Sequence, residues 1–132
     1  MKTLTAIIER NEDAFFAYIN EIEGCVAGGE NYEEVKTNLE QIISEFREED
    51  IEIGKQLEKG YNIKYEVDLE SVFNLIPEVN ITQLAKLIKM NPGLLRQYVS
   101  GSKKASENQT NKVMEGIRRL TDKLKSLQIT KV

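Results

Sequence analysis

Up to about position 70 the apolar residues fall into short runs and alternations; beyond it they recur at helical spacings. Residues 4–10 are apolar enough for a strand, Asn11-Glu12-Asp13 is a polar turn, and Ala14-Phe15-Phe16-Ala17-Tyr18-Ile19 completes a β-hairpin. A third short strand near Cys25-Val26-Ala27 ends at Gly28-Gly29, where the chain is free to change direction. A helix follows: Asn31 is its cap, Glu34 reaches back three positions, and Val35, Leu39, Ile42 and Phe46, with Ile43 beside them, form a stripe that faces the sheet. Residues 47–61 are compatible with a frayed continuation, a second short helix or an acidic loop. Ile63, Tyr65, Val67 and Leu69 then alternate with Lys64, Glu66 and Asp68, the period of a strand with one wet face. The expected order is β-β-β-α-β, a small antiparallel sheet with one helix on a face.

After that the signals are helical. Asp68 is expected to cap a helix over 69–76 that ends before Pro77, and a second helix runs over about 82–90 with Leu84, Leu87 and Ile88 on one side. A third is well punctuated, with Asn91 as cap, Pro92 at the first helical position and Gly101 at the left-handed C-terminal position. The last begins with Ser106 as cap and Gln109 three residues on, and carries Val113, Ile117, Leu120, Leu124 and Leu127. This four-three alternation gives a narrow seam that either packs on the preceding helices or joins a second copy. The fold class is therefore α+β: a β-β-β-α-β module over 1–70 followed by an all-α domain over 71–132.

Composition narrows the chemistry. With 40% hydrophobic and 30% charged residues the chain reads as globular, and no stretch approaches the roughly 18 apolar residues of a membrane span. The N-terminus lacks an apolar signal core, so a cytoplasmic location and no membrane partner are expected. The single Cys25 excludes an internal disulfide framework, and the absence of histidine removes His-containing metal sites and Ser-His or Cys-His nucleophiles. No cofactor or metal is called for. Charge is divided unevenly: residues 1–70 hold 7 Lys/Arg against 18 Asp/Glu, a net −11, whereas 71–132 hold 11 against 4, a net +7. An acidic half suits a cationic partner and a basic half suits phosphates; the plainer alternative is a solvated charged face on each. Halves of this size are marginally stable alone, so a homodimer or higher homo-oligomer is expected.

Two short helices joined by a tight turn, the second with basic and amide side chains outward, match the geometry of a DNA-binding helix-turn-helix. Leu84-Ala85, Met90, Leu95 and Tyr98 supply its apolar interior, leaving Gly93, Arg96, Gln97 and Ser100 outside. Arg96 can read guanine and Gln97 adenine, because fork and carboxamide each match a two-point pattern on the purine edge. Asn91, Gly93, Arg96, Gln97, Ser100, Lys103 and Lys104 are the candidate contacts to double-stranded operator DNA, with Lys86 and Lys89 as further phosphate holders. From Ile81 to Ser106 the spacing resembles the Cro/C1-like helix-turn-helix family, departing at Lys89, where glycine is usual, and at Ala105, where a proline often stands.

Gly24-Cys25-Val26-Ala27, Gly29-Glu30-Asn31-Tyr32-Glu33-Glu34-Val35 and then Asn38 resemble the signature of the HicB family of antitoxins, across residues 4 to about 69. The likeness departs at Asn20 and Glu23, where prolines are common, and at Val35, where alanine is usual. It implies a partial RNase-H-like fold for 1–70, a small basic mRNA-cleaving HicA-type toxin as partner, and repression of the chain's own operon through the C-terminal domain. The rival reading is a solitary transcriptional regulator whose N-terminal half dimerises or senses a ligand. Catalysis is not expected: the helix glutamates Glu33, Glu34, Glu40, Glu45, Glu48 and Glu49 mostly face away from the apolar stripe instead of converging on cations, and Cys25 has no candidate base.

Overall fold

Strand β1 (Lys2–Arg10) is buried on both faces: Leu4, Ala6 and Ile8 enter the main core, while Ile7 is covered from the other side. A strand with that burial belongs in the middle of a sheet. In the computed structural model, which describes residues 1–130, β1 is the central strand of a five-stranded sheet of order β3-β2-β1-β4-β5, formed with β2 (Phe15–Ile19), β3 (Val26–Gly29), β4 (Tyr61–Val67) and β5 (Ala105–Ser106). The hairpin is as expected, with Asn11 Oδ1 accepting from the amides of Asp13 (2.8 Å) and Ala14 (2.9 Å) and so closing the turn. The sheet, however, is not wholly antiparallel. β1 and β4 pair in parallel, from Lys2 opposite Tyr61 to Ile8 opposite Val67, because the intervening helices carry the chain back across the sheet before β4 begins.

Six helices accompany the sheet among the described residues. Helix α1 (Tyr32–Glu49) is capped by Asn31 as expected, its side chain accepting from Glu34 N–H at 2.8 Å. Its buried stripe is Val35, Leu39 and Ile43, at successive fours, and Ile42 and Phe46 flank it half-buried. The ambiguous stretch resolves into a break and a second helix: Asp50 adopts an extended conformation, ends α1 and caps α2 (Ile51–Gln56) by accepting from Ile53 N–H at 3.1 Å, and Leu57 behind it is buried. The close approach of α1 to β3 depends on Gly29, where a Cβ would lie 2.5 Å from Val35 N and 2.8 Å from its Cα.

After β4, α3 (Leu69–Phe73) is shorter than expected and Asp68 does not cap it through its side chain. Ser71 does the tying instead: its hydroxyl donates to Asp68 O (2.6 Å) and accepts from Arg10 N–H (2.8 Å), fixing the start of the helix to the end of β1. Short turn bonds then carry the chain over 74–79. Asn80, not Thr82, sets the start of α4 (Ile81–Leu87), and α5 (Pro92–Ser100) and α6 (Glu107–Ser126) begin and end as their caps require. The stretch 71–130 is thus not all-α as expected: between its helices and turns it contributes β5, which pairs with β4 at Glu66–Ser106 and Val67–Ala105 because β4 offers an unpaired edge there. No described helix is long and apolar enough to cross a membrane.

A polar clamp joins α1 to α6. Lys36 Nζ sits 2.8 Å from a Glu107 carboxylate oxygen and over the rings of Tyr32 (5.3 Å) and Tyr65 (4.7 Å), while Tyr32 donates to Glu107 (3.2 Å) and Tyr65 to Glu40 (3.3 Å). Burial first, and then the neighbouring carboxylates, raises both phenols well above the usual 10. The native state thus holds these protons more tightly than the unfolded chain. The stability they contribute is fully present below the unfolded phenol value of about 10 and is lost as pH rises above it. Urea midpoints should therefore fall between about pH 9 and pH 11, and a Tyr32→Phe, Tyr65→Phe chain should show a smaller fall; equal falls would reject the clamp's role. Gly29→Ala, which drives a methyl into backbone, should cost about 2–3 kcal/mol in the same assay.

Candidate nucleic-acid interface

The unit built from α4 and α5 rests on its interior. Leu84, Ala85, Ile88, Met90, Leu95 and Tyr98 are all buried, which holds the two short helices against each other. The turn between them is a Schellman motif: Lys89 N–H donates to Lys86 O (3.2 Å) and Met90 N–H to Ala85 O (2.9 Å), with Met90 inserted as the apolar residue after the turn. Lys89 occupies the left-handed position itself, at φ 56°, the one non-glycine residue with positive φ among those described. The departure from glycine at this site leaves the turn intact. At the far end of α5, Gly101 has φ 81°, and a Cβ there would lie 2.7 Å from the Glu70 carboxylate.

All seven candidate contact residues, Asn91, Gly93, Arg96, Gln97, Ser100, Lys103 and Lys104, are exposed. Asn91 Oδ1 is engaged as cap, accepting from Leu94 N–H at 3.1 Å, which leaves the amide nitrogen and one oxygen lone pair to face a ligand. Arg96 is tethered: Nη2 donates to Thr82 Oγ1 at 2.7 Å, joining the start of α4 to the middle of α5. The Gln97 carbonyl accepts from Lys103 N–H (3.2 Å) and from the hydroxyls of Ser100 (3.2 Å) and Ser102 (3.2 Å). That folds the lysine-bearing loop of Lys103 and Lys104 back onto the end of α5, so the arginine, the amide and two cations come from one continuous segment.

Lys86 and Lys89 lie elsewhere. Lys86 lines a hollow of about 400 Å³ between α4 and α6 together with Leu87, Leu120 and Lys123. Lys89 lines another of about 200 Å³ with Lys112, Glu115 and Arg119, and Arg119 Nη1 donates to Leu87 O (3.2 Å) at the end of α4. Sequence reasoning missed Thr82 and Ser102, whose hydroxyls aim or pin the expected contacts; no spacing rule signals a bond 14 positions apart. The seam of α6 divides: Val113 is buried and Gly116 packs against Ile88, but Leu124 is 59% exposed and Leu127 73%.

No family model matches the chain, and no solved structure matches it. It is similar to a UPF0150 protein of Helicobacter pylori (strain J99), 38% identical over 40 residues, which is 30% of this chain. The match spans about half, 56%, of that relative's length.

The strain at the turn has a measurable consequence. A left-handed non-glycine residue costs about 1–2 kcal/mol, partly offset by the greater unfolded freedom of glycine. Lys89→Gly should accordingly raise unfolding stability by about 0.5–1 kcal/mol; a lower urea midpoint would show that the lysine side chain supports the turn.

Proposed function

We propose that the chain is a two-part binding protein: an acidic, partial RNase-H-like module over 1–70 that neutralises a small basic HicA-type mRNA-cleaving toxin, and a helix-turn-helix module over 71–132 that represses its own operon. The observation that carries the DNA half is the α4–α5 unit, whose buried interior leaves Arg96, Gln97, Ser100 and the Lys103–Lys104 loop together on the outside. Arg96 reads a guanine edge, Gln97 an adenine edge, and the two lysines hold phosphates. The toxin half rests on the net −11 of the first 70 residues and on the similarity to a UPF0150 protein, one of a HicB-like family of uncertain function. Neutralisation is by stoichiometric binding, with charge speeding encounter and apolar contacts setting the lifetime.

Two half-sites one helical turn apart call for a dimer, and the exposed leucines at the end of α6 supply an apolar surface for one. The chain titrated against a duplex carrying the region upstream of its own gene should bind with a strong salt dependence. Arg96→Ala should weaken specific binding by about 1–3 kcal/mol, and Lys103→Ala and Lys104→Ala should each reduce the salt slope by about 1. Equal binding to unrelated duplexes by every variant would reject the placement of the readers. A small basic protein captured from native cells at near-equal stoichiometry, which cleaves mRNA alone and is silenced by the added chain, is the outcome expected for the other half.

A further inference from the structure

One edge of the sheet is open and chemically one-sided. β3 is the outermost strand, and Ile19 N–H donates to Cys25 O at 3.1 Å, followed in register by Ala17 opposite Ala27 and Phe15 opposite Gly29. In an antiparallel pair the bonded residues alternate, so the backbone groups of Val26 and Gly28 point away from β2. Asn38 Nδ2 donates to Gly28 O at 2.8 Å, which agrees with that direction and closes one acceptor. Val26 N–H, Val26 C=O and Gly28 N–H are left facing outward. Val26-Ala27-Gly28-Gly29 carries neither the lysine nor the proline by which edge strands discourage pairing.

The surface beside this edge is apolar, then acidic. A hollow of about 330 Å³ runs between Val26 and the α1 residues Gln41, Ile42 and Glu45, and it meets a second of about 310 Å³ lined by Glu45, Phe46, Glu49 and Asp50. No cation lines either one. On the other face of the sheet, Val26 is 53% exposed and Phe16, across from Gly28, is 40% exposed, because Ala17 and Ala27 take the alternate positions facing the core. The opposite side of the sheet differs: β5 covers the end of β4, Lys64 is on the strand, and Arg47 and Lys36 lie over the Tyr61 (5.9 Å) and Tyr65 (4.7 Å) rings.

We propose that the outer edge of β3, with the exposed α1 surface from Gln41 to Glu49 and its cap Asp50, is the docking surface for a cationic protein partner that adds an extended segment to the sheet. Two or three main-chain bonds set the register, apolar side chains of the segment enter the hollow beside Val26 and Ile42, and its lysines or arginines meet Glu45, Glu49 and Asp50. The short edge gives little affinity by itself, so a partner is selected only if it also satisfies the carboxylates. This assignment rests on the reading of the acidic half as a partner-binding module and locates the interface on it.

The test uses the isotopically labelled full chain and a blocked eight-residue peptide whose alternate positions, those that would face α1, are two valines followed by two lysines with threonine between them, with glutamate replacing lysine in a control peptide. Saturable binding is expected, with backbone shifts at Val26, Gly28 and 41–50 and at least tenfold slower amide exchange at Val26 and Gly28; the control should not bind. Val26→Pro removes an outward donor without touching the β2 pairing, and it should weaken binding about tenfold, as should Glu45→Lys combined with Glu49→Lys. Absence of saturable shifts, shifts on another surface, or an affinity unmoved by both variants would overturn the assignment. If the peptide docks here but no basic toxin is recovered, the antitoxin reading falls and the edge stands. If a toxin binds both variants undiminished, the antitoxin reading stands and this surface falls.

Discussion

The parallel contact between β1 and β4 is the constraint on which the other elements depend. It places β1, with Leu4, Ala6, Ile7 and Ile8 buried, at the centre of the sheet and requires a crossover through α1, which buries Val35, Leu39 and Ile43. It also brings Arg10 at the end of β1 beside Ser71 at the start of α3, so the helical part leaves the sheet at a fixed point. β5 and the Lys36–Glu107 clamp attach the start of α6 to the same body. Apolar side chains from both parts of the chain, Leu4 and Leu39 with Leu69, Leu84 and Val113, accordingly belong to one buried cluster. Without that pairing, α6 would have neither the β4 edge nor Tyr65 to dock against.

Local signals in the sequence were legible where local chemistry decides the structure. Asn31, Asn91 and Ser106 each cap the helix that their identity announces, and Gly101 takes the left-handed position assigned to it. What sequence spacing could not supply was long-range pairing. Alternation at Ile63, Tyr65 and Val67 identifies a strand but says nothing of the direction of its neighbour, and the expected antiparallel sheet gives way to a parallel β1–β4 pair. Ala105–Ser106 is too short for any period, and becomes a strand only because β4 offers an edge at that place. Asp68 has the right residue type for a cap, but Ser71 offers its own hydroxyl to the same turn. The candidate interface shows the same division. Burial of Leu84, Ala85, Met90, Leu95 and Tyr98 follows from periodicity and leaves the expected contacts outside, whereas the Thr82–Arg96 bond depends on how two helices cross.

Charge and architecture correspond without coinciding. The acidic half places carboxylates on α1 and beside the open edge of β3, while two of its cations, Lys36 and Arg47, are held over tyrosine rings on the β4 side and Arg10 lies over the Phe15 ring. In the basic half, Arg118 is absorbed locally by Glu115 and Asp122, and Arg119 by the end of α4. Among the described residues the cations outside the ion pairs include Arg96, held by Thr82, and Lys103 and Lys104, on one continuous segment. A net charge of −4 for the whole chain therefore describes neither surface.

The two-residue strand β5 has a consequence for how the molecule is made. β1, β2 and β3 lie within the first 29 residues and can pair as soon as they leave the ribosome, but the last strand is absent until residue 106 has been synthesised. From the synthesis of residue 67 until that of residue 106 the far side of β4 is therefore an unclosed border, with Tyr61, Ile63 and Tyr65 beside it. The late arrival of Ala105 and Ser106 shuts one end of that border and, through the Ser106 cap, starts α6 in the same step. Completion of the sheet and initiation of the final helix are one event.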